Sequence, residues 1–222
     1  MYYFLSLPTW QIREIIIEGT NILSAEEVRT LSSIPFSENL FFANFSRTKE
    51  NLKKITAIKD FHIYRIPPAT ILIKITERKP IAVVLIENKS FVVDSEGYIL
   101  NRSPSLSLNV PNLDDLPTIS GIGSEEVINK ERISPKIAHL LPDLILEIHK
   151  LLGSRKIALD LGNFKNLGFL LDDILFVKIG RDENLKEKIE VFKALIPILA
   201  GKWAQIEYVD VRYPQNPVVK YK

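Results

Sequence analysis

The chain has 222 residues, of which 46% are apolar and 25% charged, and a formal net charge of +2. That length suits one large domain or two small ones, and the composition is that of a folded chain. The basic residues are spread out rather than gathered in a block, which argues against nucleic acid as a partner. Cysteine is absent, so thiolate zinc sites, thiol catalysis and disulfide frameworks are excluded.

No run reaches the ~18 apolar residues needed to span a bilayer. The apolar, aromatic start from Tyr2 to Trp10 also lacks the basic flank and cleavage site of a signal peptide. It reads either as a first strand or loop, or as the trailing end of a membrane segment. Tyrosine and tryptophan favour the water–lipid interface, which suits the second reading. Residues 1–10 would then be a membrane-proximal remnant, with an anchor upstream of Met1.

From Gln11 to Glu18 the isoleucines predict a strand. Ser24 and Glu27 form a capping box that opens a helix to Ser32, with Val28 and Leu31 inward. Ser46 is placed to cap a second helix with Leu52 and Ile55 inward. Ile58 to Ile66 alternates as a strand, which Pro67-Pro68 ends. Thr70 to Thr76 follows, with Ile71, Ile73 and Ile75 on one face. The order strand, helix, helix, strand, strand predicts a small sheet with two helices on one side.

Further on, 82–86 and 91–94 predict a hairpin, with Gly97 in the turn beyond it. Residues 101–116 are rich in Ser, Asn, Asp and Pro and predict a loop. Ser134 and Pro135 open a long amphipathic helix, Pro142 should kink it, and Gly153 closes it. Strands are expected at 156–161, 167–171 and 174–179, then a helix over 184–200. Strands at 206–213 and 218–221 end the chain.

Several of these segments resemble one known family. Arg65-Ile66-Pro67-Pro68-Ala69-Thr70, running on to Thr76-Glu77-Arg78-Lys79-Pro80-Ile81-Ala82, is similar to the segment that closes the POTRA domain of FtsQ/DivIB cell-division proteins. Ile15 to Thr20 resembles that domain's opening strand. Val92-Val93-Asp94-Ser95-Glu96-Gly97, Leu116 to Gly121, Val177 to Arg181 and Tyr208 to Tyr213 resemble elements of the domain that follows. The resemblance implies an α+β chain with a POTRA domain of β-α-α-β-β order over 11–79. A mixed domain would follow over 80–222, with a largely antiparallel sheet and two long helices.

It further implies a non-catalytic division scaffold on the extracytoplasmic side of the cytoplasmic membrane. Its partners would be FtsB/DivIC-like and FtsL-like chains, with no small-molecule substrate and no cofactor. The family's docking region falls on Tyr213, Gln215, Asn216 and Tyr221, with Arg181 as a charge partner. The residues alone leave alternatives open. Tyr213 and Tyr221 could pack on the core, and Arg181 could be a solvated cation. Pro214 and Pro217 each remove a backbone donor and put a long added ladder across 213–218 in doubt.

A POTRA-bearing transport component is the rival reading, but it would carry repeated units and barrel strands. For catalysis there is little material. His139 and His149 lie ten residues apart on one helix, too far to share a metal. His62 falls on the outward phase of a strand. Asp94 and Glu96 flank a turn, where carboxylates serve the local backbone. Gly121-Ile122-Gly123 lacks the setting of a dinucleotide loop.

Overall fold

The computed structural model describes residues 7–87, 89–101, 107–129, 131–153 and 155–222. They fall into two compact units. The first comprises 7–79 with 100–101 and 107–111, and the second comprises 80–99 and 112 onward. Residues 100–101 and 107–111, which the sequence reading kept within 80–222, cluster with the first unit. Asn109 N–H donates to the Ile22 carbonyl at 2.8 Å, and Leu108 bridges Leu23. Strand-type main-chain bonding thus holds Leu108 and Asn109 against Ile22 and Leu23.

The first unit follows the β-α-α-β-β order: β1 (Glu14–Glu18), α1 (Ala25–Ser32), α2 (Ser46–Lys53), β2 (Ile58–Ile66) and β3 (Thr70–Glu77). Its sheet runs β1-β3-β2, so the last strand sits in the middle, parallel to β1 and antiparallel to β2. Ile71, Ile73 and Ile75 of that central strand are buried, as their period of two requires. Only half of the capping box forms. Ser24 Oγ accepts the Glu27 N–H at 3.5 Å, while the Glu27 carboxylate turns to Ser107 N–H at 3.3 and 3.4 Å. Ser46 is not the cap of α2. Phe45 holds that position without a side-chain cap, and Asn44 Oδ1 accepts the Ser46 N–H at 2.9 Å.

Two long-range ties hold this unit. Glu77, in the segment that carried the resemblance, accepts three successive N–H groups, from Asn21, Ile22 and Leu23, each at 2.9 Å. One carboxylate therefore ties the end of β3 to the turn before α1. Arg65 donates from Nε to the Leu40 carbonyl at 2.7 Å and from a terminal nitrogen to Ala43 at 2.9 Å.

The second unit holds β4 (Pro80–Ile86), β5 (Lys89–Asp94), β6 (Thr118–Ser120), β7 (Val127–Ile128), β8 (Arg132–Ile133), α3 (Pro135–Leu152), β9 (Ile157–Asp160), β10 (Leu167–Leu171), β11 (Leu175–Gly180), α4 (Leu185–Leu199), β12 (Ile206–Asp210) and β13 (Val218–Tyr221). Eight strands form one sheet in the order β13-β12-β11-β10-β9-β6-β4-β5, and β7 pairs with β8 apart from it. The β6–β9 and β11–β12 pairs are parallel, because α3 and α4 carry the chain back between those strands. The β4–β6 pair is also parallel, and the remaining four are antiparallel. Helix α3 runs through Pro142 without interruption of its span.

Ile137, Leu141, Leu144 and Ile148 of α3 and Ile189 and Phe192 of α4 are buried with Val84, Ile119, Leu159, Phe169, Val177 and Val209 of the sheet. Phe169 and Phe192 meet edge to face at 5.6 Å. Gly97 has a φ of +83°, and a Cβ there would stand 2.7 Å from the Ala138 methyl. Asp94 Oδ1 accepts from Glu96 N–H at 3.0 Å and Tyr98 N–H at 2.8 Å, so this carboxylate builds the turn.

Replacing Glu77 with alanine strands three donors at once. We expect it to lower the unfolding free energy of the first unit by about 2–4 kcal/mol. Glu77→Gln should cost less, since its amide still accepts through one oxygen. Hydrogen exchange at the Asn21, Ile22 and Leu23 amides checks this: all three should lose protection in the alanine variant.

Candidate partner-binding edge

The two ends of the eight-stranded sheet differ. At the β5 end, Val93 is bridged by Ile99, and Asp94 N–H donates to the Tyr98 carbonyl at 3.1 Å. At the other end β13 pairs with β12 alone among the described strands. Lys222 N–H donates inward to the Gln205 carbonyl at 2.9 Å. Alternation along an antiparallel strand then turns the main chains of Lys220 and Val218 toward β12, and those of Val219 and Tyr221 outward. Pro214 and Pro217 lie in the connection between β12 and β13, outside both strands. Neither removes a donor from the edge.

The five residues singled out from the sequence fall into two places. Tyr213 and Asn216 close a turn, with Asn216 N–H donating to the Tyr213 carbonyl at 2.9 Å. Gln215 Nε2 reaches Glu187 Oε1 on α4 at 3.3 Å. Arg181 follows β11, and its guanidinium stands 3.9 Å from Glu183. The Glu187–Gln215 bond joins the first turn of α4 to the 213–216 turn, so these four residues share one end of the sheet. Tyr221 lies at the other end of β13, about 10 Å along the strand. Tyr213 is 71% and Tyr221 48% exposed; neither is a core residue.

What holds this end rigid was not legible in the sequence. Lys188 is buried and donates from Nζ to the Arg181 carbonyl at 2.8 Å. Its burial lowers its pKa against the raising influence of Glu183, Asp182 and Glu187. Gly180 has a φ of +75°, and a Cβ there would approach Arg212 Cγ to 2.9 Å. Arg212 grips Asp210 through Nε, at 3.0 Å from both carboxylate oxygens, and through a terminal nitrogen at 2.7 Å. Burial pushes the Asp210 carboxyl up, but the Arg212 hydrogen bonds and charge, with Lys178, hold it below the ordinary value. Gly180, Asp210 and Arg212 fall in the segments Val177 to Arg181 and Tyr208 to Tyr213 that carried the resemblance, whereas Lys188 falls in neither.

Lys178 Nζ of β11 sits 3.4 Å from the centre of the Tyr208 ring on β12. Lys220 pairs with Glu207 at 2.8 Å, and that hydrogen bond and charge raise its pKa. The edge is thus flanked by fixed charges, while Val218, Tyr221 and Tyr213 supply exposed apolar surface. Elsewhere in this unit a cavity of about 400 Å³ is lined by Ser95, Glu96, Arg132, His139 and Asp143. Arg132 donates there to the Glu96 carbonyl at 2.6 Å and lies over the Tyr98 ring at 5.1 Å. Two of the three histidines have local contacts: His62 stacks on Tyr64, and His149 Nδ1 lies 3.1 Å from the Ile145 carbonyl. Among the described residues no helix is long and apolar enough to cross a membrane.

A β-α-α-β-β unit followed by a helix-covered mixed sheet defines an α+β protein whose first domain is of POTRA type. Residues 10–78 match the POTRA domain of FtsQ type, and residues 82–212 match the C-terminal domain of cell division protein FtsQ/DivIB. The chain belongs to the FtsQ/DivIB family of cell-division proteins. It is similar to cell division protein DivIB of Clostridium tetani, with 24% identity over 218 residues, covering 97% of this chain and 81% of that protein. For DivIB of Clostridium acetobutylicum the identity is 25% over 218 residues, 96% of this chain and 84% of that one. Cell division protein FtsQ of Rickettsia bellii is 31% identical over 94 residues, 42% of this chain and 35% of that protein.

The depressed Asp210 carboxyl sets a pH dependence. Its ionised form is favoured in the fold, so its contribution is present above the unfolded value of about 3.9 and fades as pH falls through the lower folded value. The melting temperature of the native chain should therefore fall below about pH 4 more steeply than that of Asp210→Asn. Parallel acid limbs in thermal melts of the two proteins would remove this role.

Proposed function

We propose that the chain is a non-catalytic scaffold that holds membrane-anchored division proteins at the outer face of the cytoplasmic membrane. The open edge of β13 accepts an extended segment of an FtsB/DivIC-like partner, and an FtsL-like chain is held with it. Support comes chiefly from one observation: the outward main chains of Val219 and Tyr221, on a proline-free strand whose single neighbour among the described strands is β12. Each outward N–H and C=O is a donor or acceptor that an added strand satisfies, and side-chain pockets beside it supply selectivity.

The five named residues divide the work. Tyr221 flanks the ladder at one end of β13. At the other end Tyr213, Gln215 and Asn216 form a turn that meets the flanks of the partner. Arg181, held by the Lys188 bond to its carbonyl, pairs with a partner carboxylate; its present contact with Glu183, at 3.9 Å between exposed groups, is weak enough to exchange. Buried tyrosines are common anchors of binding energy, whereas rim charges set selectivity and rate. Anchoring to the membrane would confine both partners to one surface. Confinement raises effective concentration to about the millimolar range, so modest contacts suffice.

Proline at position 219 removes an outward donor and leaves the β12–β13 ladder intact. Capture of an FtsB/DivIC-like partner by Val219→Pro should weaken about tenfold or more, with little change in melting temperature. Lys220→Pro, which deletes an inward donor, should instead destabilise the fold. Tyr213→Ala and Tyr221→Ala should each weaken capture by a similar factor. Full capture by a folded Val219→Pro chain would show that the β13 edge is not the docking strand.

A further inference from the structure

Strand β1 likewise has a neighbour on one side alone among the described strands, β3. The Arg13 and Glu14 N–H groups both donate to the Ala69 carbonyl, at 2.9 and 3.2 Å, so Glu14 faces β3. Alternation then turns the main chains of Ile15 and Ile17 to the open side. There the Ile15 carbonyl is met by a side chain rather than a strand: the Arg29 guanidinium of α1 donates to it at 2.8 Å.

A groove of about 570 Å³ runs along this edge, lined by residues 13–17 with Ala25, Arg29 and Phe36. Its apolar content is accessible. Ile15 and Ile17 lie opposite Ile71 and Ile73 of β3; the β3 residues are fully buried, whereas the β1 pair is only half-buried. Phe36 is 58% exposed. The charges lining the groove are Arg13, Arg29 and Glu14. The Glu14 carboxylate accepts the Thr70 hydroxyl at 2.8 Å. Arg29 also pairs with Glu26 at 3.2 Å, but both side chains are well exposed, so that pair exchanges at little cost.

We propose that this groove receives an extended segment of a partner protein that carries carboxylates among apolar residues. The segment pairs with the outward main chains of Ile15 and Ile17 and covers Phe36. Its carboxylate draws the Arg29 guanidinium off the Ile15 carbonyl, which then accepts a main-chain N–H of the segment. Arg29 thus serves as a charge-operated latch on the edge. A mere guard would also sit there, since charged side chains on an edge strand block unwanted pairing. The two roles differ in sign: removing a guard strengthens strand addition, and removing a receptor for carboxylates weakens it.

The test is a fluorescence-anisotropy titration of the whole chain with two labelled octapeptides, one alternating valine with glutamate and one alternating valine with lysine. The glutamate peptide should bind at least about tenfold more tightly. Arg29→Glu and Arg13→Glu, each shown folded by circular dichroism, should abolish or invert that preference. Val219→Pro should leave it unchanged, which keeps this groove distinct from the β13 edge. Equal or absent binding of the two peptides overturns the proposal. So does an Arg29→Glu chain that binds both more tightly, or loss of binding in Val219→Pro.

Discussion

A sheet that does not close on itself must leave a row of N–H and C=O groups without a strand at each end. The second unit of this protein is organised around that constraint. Its eight-stranded sheet is covered by α3 and α4, whose buried residues form one core with alternate positions of the strands. One end is turned in on itself by the Ile99 bridge to Val93. The other is left to β13, and the two prolines that could have spoiled it stand in the turn before it. What an added strand meets at this end is set by the main-chain groups that β13 turns outward.

At the open end polar ties add to the apolar packing of Ile179, Ile189, Val209 and Val211. Lys188, Gly180, Arg212 and Asp210 lock the β11–α4 junction to the end of β12, and Glu187 joins the same helix to the 213–216 turn. A docking edge gains from such anchoring, because a partner then loses less of its binding free energy to ordering the receptor. The first unit uses the same device on a larger scale. Glu77 gathers three amides, and Arg65 gathers two carbonyls, each across a long stretch of sequence. A Glu-Arg-x-Pro step at the end of a domain thereby acquires a physical reason: its carboxylate closes the turn at the opposite end of the chain segment.

Local chemistry carried much of the fold. Period-two isoleucines marked β3, the run from Ile58 marked β2 with its observed bounds, and Ser24 marked the start of α1. Local reasoning failed in two ways: Glu27 left its capping box for the distant Ser107, whereas at α2 the nearby Asn44 took the Ser46 N–H and Phe45 the cap position. The short strands β6, β7 and β8 escaped notice because two or three residues carry no periodicity.

By itself the sequence determined the family, the β-α-α-β-β order of the first unit and the two amphipathic helices of the second, because these rest on spacing along the chain. It also singled out Arg181, Tyr213, Gln215, Asn216 and Tyr221, through the resemblance of the motifs around them. Only the tertiary structure decided that four of these share one end of the sheet while Tyr221 stands at the other, that β3 rather than β2 is central, and that Val219 faces outward. Those are facts of strand order and register, set by hydrogen bonds between residues far apart in the chain, and no local pattern encodes them.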